Sequence, residues 1–161
     1  GGSMRYTLAK KGARQASEAV TVLIAKETAL GLDRPETFDK FRQNCEASRD
    51  QLMTVLNDLR EKGVRVLGYG ATSKSTTVMN YCGITPEHIA FISDTTPTKQ
   101  GKCTPGAHVP VKPYADFVAD YPAYTVLFAW NHSREIMEKE QAYKAAGGKW
   151  INFVPKVDVQ E

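Results

Sequence analysis

The stretch VRVLGYGATSKSTTVMNYCG, from Val64 to Gly83, joins an apolar run to a pair of glycines and then to a run of hydroxyls. Gly68 and Gly70 leave the backbone bare at the corner, so a ligand can approach the main chain closely. Ala71, Thr72, Ser73 and Lys74 follow, adding hydroxyl donors and one positive charge. If the apolar run is a strand and the hydroxyl run opens a helix, the unpaired N–H groups of the first helical turn converge on the same point. The positive end of the helix dipole adds to them, and the set suits an anion, phosphate above all. The spacing is G-x-G-x-x-S. It lacks the third glycine of the dinucleotide fingerprint, and it does not fit the G-x-x-x-x-G-K-[ST] of a P-loop. The corner therefore points to an anion without naming a cofactor. The other reading is that the glycines only pack strand against helix.

Three further groups stand where apolar runs end. Asp94 closes HIAFISD, roughly 20 residues beyond the glycine turn, where a dinucleotide-binding fold keeps its ribose-binding acid. The same SDTTP is also good turn chemistry. The loop DTTPTKQGKCTPGAH supplies Lys99, Gln100, Gly101, Lys102 and His108. A loop of that length in a compact domain is more often functional than idle. Finally, AWNH follows a fully apolar run: Trp130 offers a face for stacking a base or a sugar, Asn131 a hydrogen bond or a helix cap, and His132 an imidazole. His88 instead precedes its run. In an open parallel sheet, ligands collect beyond the carboxyl ends of the strands, where all four groups would meet.

The elements that must position these groups fall into regions of different texture. Residues 1–15 read as an amino-terminal extension. From 16 to 63 the chain is polar and helix-friendly. There ASEAVTVLIAKETALGL has an apolar face ending at Gly31, and the long DRPETFDKFRQNCEASRDQLMTVLNDLREKG carries Pro35 in its first turn. Phe38, Phe41, Cys45, Leu52, Val55, Leu56 and Leu59 recur along it at roughly helical spacing. From 64 to 161, apolar runs (VRVLGY, HIAFISD, AHVPV, YTVLFAW, KWINFV) alternate with helical patterns (TSKSTTVMNYC, YADFVAD, HSREIMEKEQAYKAAGG). That alternation predicts an α/β fold: a Rossmann-like parallel sheet with helices on both faces, preceded by the helical segment and packed with it as one domain.

Composition bounds the function. The 161 residues suffice for one domain with a real core, and 42% hydrophobic with 24% charged residues is ordinary for a soluble globular protein. A net charge of +3 is too mild to argue for nucleic acid or an anionic membrane, so neither is expected as a partner. Cys45, Cys82 and Cys103 are widely spaced and odd in number, which supports neither a disulfide framework nor a zinc cluster and fits reduced thiols in the cytoplasm. No apolar run approaches bilayer length, and the polar, glycine-rich start does not resemble a signal peptide. There is no G-x-S-x-G elbow, and VRVLGYGA lacks the acidic residue that an S-adenosylmethionine site usually places on the strand before its glycine loop.

GYGATSKSTTVMNYCGI, ISDTTPTKQGKCTPGAHVPV, LFAWNHSREIMEKE and GGKWINFVP, taken together and in this order, resemble the carboxy-terminal domain of nucleotide-sugar C-methyltransferases. The similarity runs from about Gly1 to Val157. Such enzymes use S-adenosylmethionine to methylate a carbon of a keto-deoxysugar carried on dTDP or a similar nucleotide. The resemblance implies a parent with a zinc-binding amino-terminal region and a methyltransferase domain upstream. Zinc and the S-adenosylmethionine site would then lie outside this chain. The opening GGSMRYTLAK fits either an expression scar or the end of that upstream domain.

The resemblance further implies that Gly70, Ala71, Thr72, Ser73 and Lys74 hold the diphosphate, with Gly68 of the same turn counted among the substrate-binding residues. Asp94, Lys99, Gln100 and Gly101 would shape the nucleoside side, Trp130 and Asn131 would lie near the sugar or its phosphate, and His132, also counted among the substrate-binding residues, is the best local candidate for a supporting role in the deprotonation. A base would remove the proton beside the keto group, and the resulting enolate would take the methyl group. That base is expected upstream, so this chain is expected to bind without turnover. The rival readings are a stand-alone Rossmann-type NAD or nucleotide module, favoured by G-x-G with Asp94, and an inert sheet whose helical preface docks another domain.

Overall fold

The computed structural model describes residues 3–160. Gly1 and Gly2, which begin the GGS of the opening segment, lie outside the described residues, and 3–17 contains neither helix nor strand. The chain divides into two compact units, Gly1–Cys45 and Glu46–Glu161.

The first unit holds α1 (Glu18–Ala29) and the opening of α2 (Pro35–Glu61). Gly31, at φ +69°, follows the end of α1, and its N–H donates to the Thr28 carbonyl. No residue of α1 is buried, and Phe38 and Phe41 of α2 are likewise exposed. The apolar stripe read along α2 is therefore buried only in its second half, at Leu52, Leu56 and Leu59. Periodicity places residues on one face; whether anything covers that face is a separate matter.

The second unit is built on a six-stranded sheet in the order β3-β2-β1-β4-β5-β6. The strands are β1 (Val66–Tyr69), β2 (Ile92–Ser93), β3 (Val111–Lys112), β4 (Tyr124–Leu127), β5 (Lys149–Asn152) and β6 (Asp158–Gln160). The first five pair in parallel, and β6 runs antiparallel to β5. Its sequence, Asp-Val-Gln, has too little apolar character to announce a strand, and it was not expected. AHVPV contributes only its last residue to β3. Gly106 and His108 there take positive φ, and Pro110 has no N–H to donate, so the chain turns before it pairs.

Because side chains alternate along a strand, β1 feeds two cores. Val66 joins Leu52, Leu56, Leu59, Met79, Val126, Phe128 and Ile151 on one face, under α2 and α3 (Ser73–Cys82). Leu67 and Tyr69 join Phe117, Leu127, Tyr143 and Trp150 on the other. That second face is covered by α4 (Tyr114–Ala119), α5 (Ser133–Lys139) and α6 (Gln141–Ala145). Helices thus cover both faces, as the continuous apolar strands require.

HSREIMEKEQAYKAAGG forms two helices rather than one. They break at Glu140, which is 1% exposed and accepts hydrogen bonds from the Tyr69 hydroxyl at 2.7 Å and the Tyr114 hydroxyl at 2.9 Å. A carboxylate drawn inside the fold must be bonded there, and reaching both phenols bends the chain out of the helix. Burial and this hydrogen bond raise the Tyr69 pKa well above the ordinary phenol value, and the same causes push Tyr114 up to about 12.

Candidate functional site

The order 3-2-1-4-5 puts the reversal of the sheet between β1 and β4, the place where open α/β sheets bind ligands. The carboxyl ends of both strands carry groups singled out from the sequence. After β1 the chain turns at Gly70, with φ +89°. A side chain there would bring its Cβ to 2.9 Å from Cβ of Ala129, which follows β4, so glycine is required by conformation and by space. Gly68 lies within β1, where a Cβ would meet Ile92 and Phe128 at 2.9 Å. Its role is packing.

Thr72 caps α3: its hydroxyl accepts the Ser75 N–H at 3.1 Å, while the Ser75 hydroxyl donates to the Thr72 carbonyl at 2.6 Å. The first-turn amides of Ser73 and Lys74 find no acceptor among the described residues. Both residues are exposed. Two amides without an acceptor stand at the positive end of a ten-residue helix with the Lys74 ammonium beside them, an arrangement whose chemistry suits an anion.

The Lys74 ammonium reaches across the reversal of the sheet. It donates to Asn131 Oδ1 at 2.8 Å and lies 5.2 Å from the Trp130 ring centroid. Trp130 and Asn131 belong to the short 3-10 turn Trp130–His132 that leads from β4 into α5. His132 lies on the same turn with an exposed ring, its Nδ1 3.4 Å from Glu135. The structure therefore brings Gly70, Thr72, Ser73, Lys74, Trp130 and Asn131 to one place, with His132 at its margin.

Asp94, Lys99, Gln100 and Gly101 are held differently. One Asp94 oxygen accepts the Ala71 N–H at 2.7 Å, and the other accepts the Thr96 N–H at 2.8 Å. Lys99 Nζ donates to the Ala71 carbonyl at 2.8 Å and lies 3.4 Å from Asp94. Gln100 donates to the Asp94 carbonyl at 2.9 Å, and the Gly101 N–H to the Val111 carbonyl at 3.0 Å. Both polar groups of Ala71 are thus gripped by the loop after β2. Burial alone would raise the Asp94 pKa. The Thr96 bonds, the Lys99 charge and the Ala71 amide outweigh it, holding the carboxyl below its ordinary value. Asp94 braces the glycine corner, and both of its oxygens are occupied.

Two clefts flank the corner. One, of about 230 Å³, lies toward β2 and β3 and is lined by Thr72, Thr76, Thr98, Lys99, Lys102 and Cys103 among others. His108 lies outside that lining, exposed on the loop. The other, of about 460 Å³, lies beyond β4 and β5, with Trp130, Arg134, Met137, Asn152, Val154 and Pro155 in its walls. Asn152 and Arg134 did not stand out in the sequence. The available signal was a single amide in the otherwise apolar WINFV.

The chain's residues form neither the ribose site of a dinucleotide nor the acidic strand end of an S-adenosylmethionine site. An adenosine ribose seated in the dinucleotide manner needs a free acid at the end of β2, and Asp94 is committed to Ala71 and Thr96. No acidic residue precedes the glycine corner on β1 for S-adenosylmethionine. Among the described residues, no group of three or more His, Cys, Asp or Glu side chains is arranged to hold a metal, and no helix is long and apolar enough to cross a membrane.

Residues 1–155 match the family described as C-methyltransferase C-terminal domain. Over 138 residues the chain is 32% identical to the C-methyltransferase NovU of Streptomyces niveus, an alignment covering 86% of this chain and 33% of that protein. The chain therefore spans about a third of the length of the relative it matches. With a doubly wound sheet, a glycine corner opening α3 and a sequence match over nearly its whole length, this chain belongs to the C-methyltransferase C-terminal domain family.

Proposed function

We propose that the chain binds the methyl acceptor of a C-methyltransferase, a keto-deoxysugar linked to dTDP or a similar nucleotide, and presents it to a methyltransferase domain outside residues 1–161. The observation that carries this reading is the pair of outward amides at Ser73 and Lys74, with the Lys74 ammonium beside them, at the reversal of the sheet. A diphosphate there would exchange the Lys74–Asn131 hydrogen bond for charge-assisted bonds, roughly twice as strong as neutral ones. Gly70 lets the phosphates approach the backbone, and Asp94, Lys99, Gln100 and Gly101 hold the corner in shape.

The nucleoside extends toward the cleft with Thr76, Thr98 and Lys102, and the sugar toward Trp130, Asn131 and His132. S-adenosylmethionine, which supplies the methyl group, and any zinc of the parent enzyme belong to the part outside this chain. The chain binds and orients the acceptor without turning it over by itself.

Calorimetric titration with dTDP, UDP, NADH and S-adenosylmethionine in parallel tests the reading. Binding of dTDP or UDP with no heat from the other two is expected. NADH binding in place of the nucleoside diphosphates would move the chain to the dinucleotide-module class, and silence from dTDP and UDP would remove the acceptor-binding role from the isolated chain.

A further inference from the structure

We propose that the amino-terminal unit of this chain, α1 with the first turns of α2, is a docking surface for the methyltransferase domain, and that α1 is enclosed by that domain in the intact enzyme. This rests on the reading above, that a methyltransferase domain acts on the acceptor outside residues 1–161, and it names the surface on which that domain sits.

The sequence of α1, EAVTVLIAKETA, is apolar over most of its length. Successive residues of a helix point about 100° apart, so Val20, Val22, Leu23 and Ile24 surround the axis instead of sharing one side. Surface helices carry a single apolar stripe, whereas a helix that is apolar all round belongs in an interior. Yet no residue of α1 is buried, and Val20, Val22, Ile24, Leu30, Phe38 and Phe41 are 46–67% exposed. Scattered apolar side chains on a surface are ordinary. A helix that exposes them on every side, followed by two exposed phenylalanines on the next helix, marks a surface that another protein covers.

Two observations choose the partner. The segment shared with NovU is 33% of that protein, and the family is described as a carboxy-terminal domain, which leaves a larger body of chain to cover this surface. Charge argues against a second copy in that place. Residues 3–17 hold Arg5, Lys10, Lys11 and Arg14, all exposed, and no acidic side chain. A two-fold contact through this unit repeats the same patch on both subunits and sets like charges against like. A different domain can offer carboxylates instead. The surface fits a partner with an apolar cleft wide enough for a helix, rimmed by acidic groups.

Hydrogen exchange on the isolated chain and on the intact enzyme, with the methyltransferase domain and this chain in one polypeptide, tests the assignment. The α1 amides are expected to exchange on the order of 100-fold more slowly in the intact enzyme. Ile24→Glu places a carboxylate in the covered surface and does not lower helix propensity. The isolated variant should melt as the unmodified chain does, remain monomeric and bind dTDP unchanged. In the intact enzyme the same substitution should remove the α1 protection and lower kcat/KM for methyl transfer roughly 10- to 100-fold. Phe41→Glu, on α2, should repeat the pattern. Equal exchange at α1 in both proteins, or undiminished methyl transfer in both variants, would overturn the proposal. Lowered melting temperatures of the isolated variants would also overturn it, by giving these residues a role in the chain's own fold. So would an isolated chain that sediments as a dimer and becomes monomeric with Ile24→Glu, because a second copy would then be the cover. If dTDP fails to bind the isolated chain while α1 is protected in the intact enzyme, the acceptor-binding reading fails and the docking surface stands, a distinct result.

Discussion

Gly70→Val is expected to abolish dTDP binding while leaving a folded chain. Two separate penalties arise at this position. The residue holds φ +89°, which a β-branched side chain adopts at a cost of about 1–3 kcal/mol. Its Cβ would also stand 2.9 Å from Cβ of Ala129, so β1 and β4 must separate at their carboxyl ends or the turn must move. Both adjustments displace the start of α3, and with it the Ser73 and Lys74 amides. Losing two charge-assisted hydrogen bonds removes about 3 kcal/mol or more of binding, which is on the order of 100-fold in Kd. The two hydrophobic cores lie deeper in the sheet, so circular dichroism should still report native secondary structure with a lowered melting temperature. A Gly70→Val chain that binds dTDP with unchanged affinity would remove the phosphate from this corner.

Asp94→Ala should act chiefly on stability. Its side chain is 9% exposed and accepts two backbone N–H groups, from Ala71 and Thr96, while holding Lys99. Truncation leaves both amides without their acceptor and Lys99 without its carboxylate, a loss of about 2–4 kcal/mol. The glycine corner loses its brace with it, so dTDP binding should weaken as well. Since the folded Asp94 pKa is depressed, the carboxylate's contribution is fully present above its unfolded value and is lost as the pH falls through the folded one. Urea midpoints of the unmodified chain should therefore drop as the pH is lowered below about 4. In Asp94→Asn that part of the acid dependence should be missing, and a midpoint profile parallel to that of the unmodified chain would contradict the brace.

The strand-turn-helix at 66–82 was legible in the sequence because each of its parts carries a local cause: two glycines, a threonine cap and a left-handed Gly83 after the helix. Asp94 was legible as a residue at a strand end, but its partner was not. The Ala71 amide comes from 23 residues earlier and meets Asp94 only through the β1–β2 pairing, which no local pattern encodes. Nothing local in HSREIMEKEQAYK marks Glu140 as a buried carboxylate, because its two tyrosine partners lie in distant elements. Phe38 and Phe41 show the reverse case: their spacing marks a face, and in the structure both remain exposed. Asn152 was hidden by its surroundings, since an apolar strand is read for its apolar residues.

An amide-resolved NMR titration of the chain with dTDP tests the central claim most directly, because it reports which residues meet the ligand. The largest shifts are expected at the Ser73 and Lys74 amides, with smaller ones at Gly70 and at the Trp130 indole N–H, all saturating together. Saturable shifts elsewhere, with Ser73 and Lys74 unmoved, would place the nucleotide at another site and contradict the account.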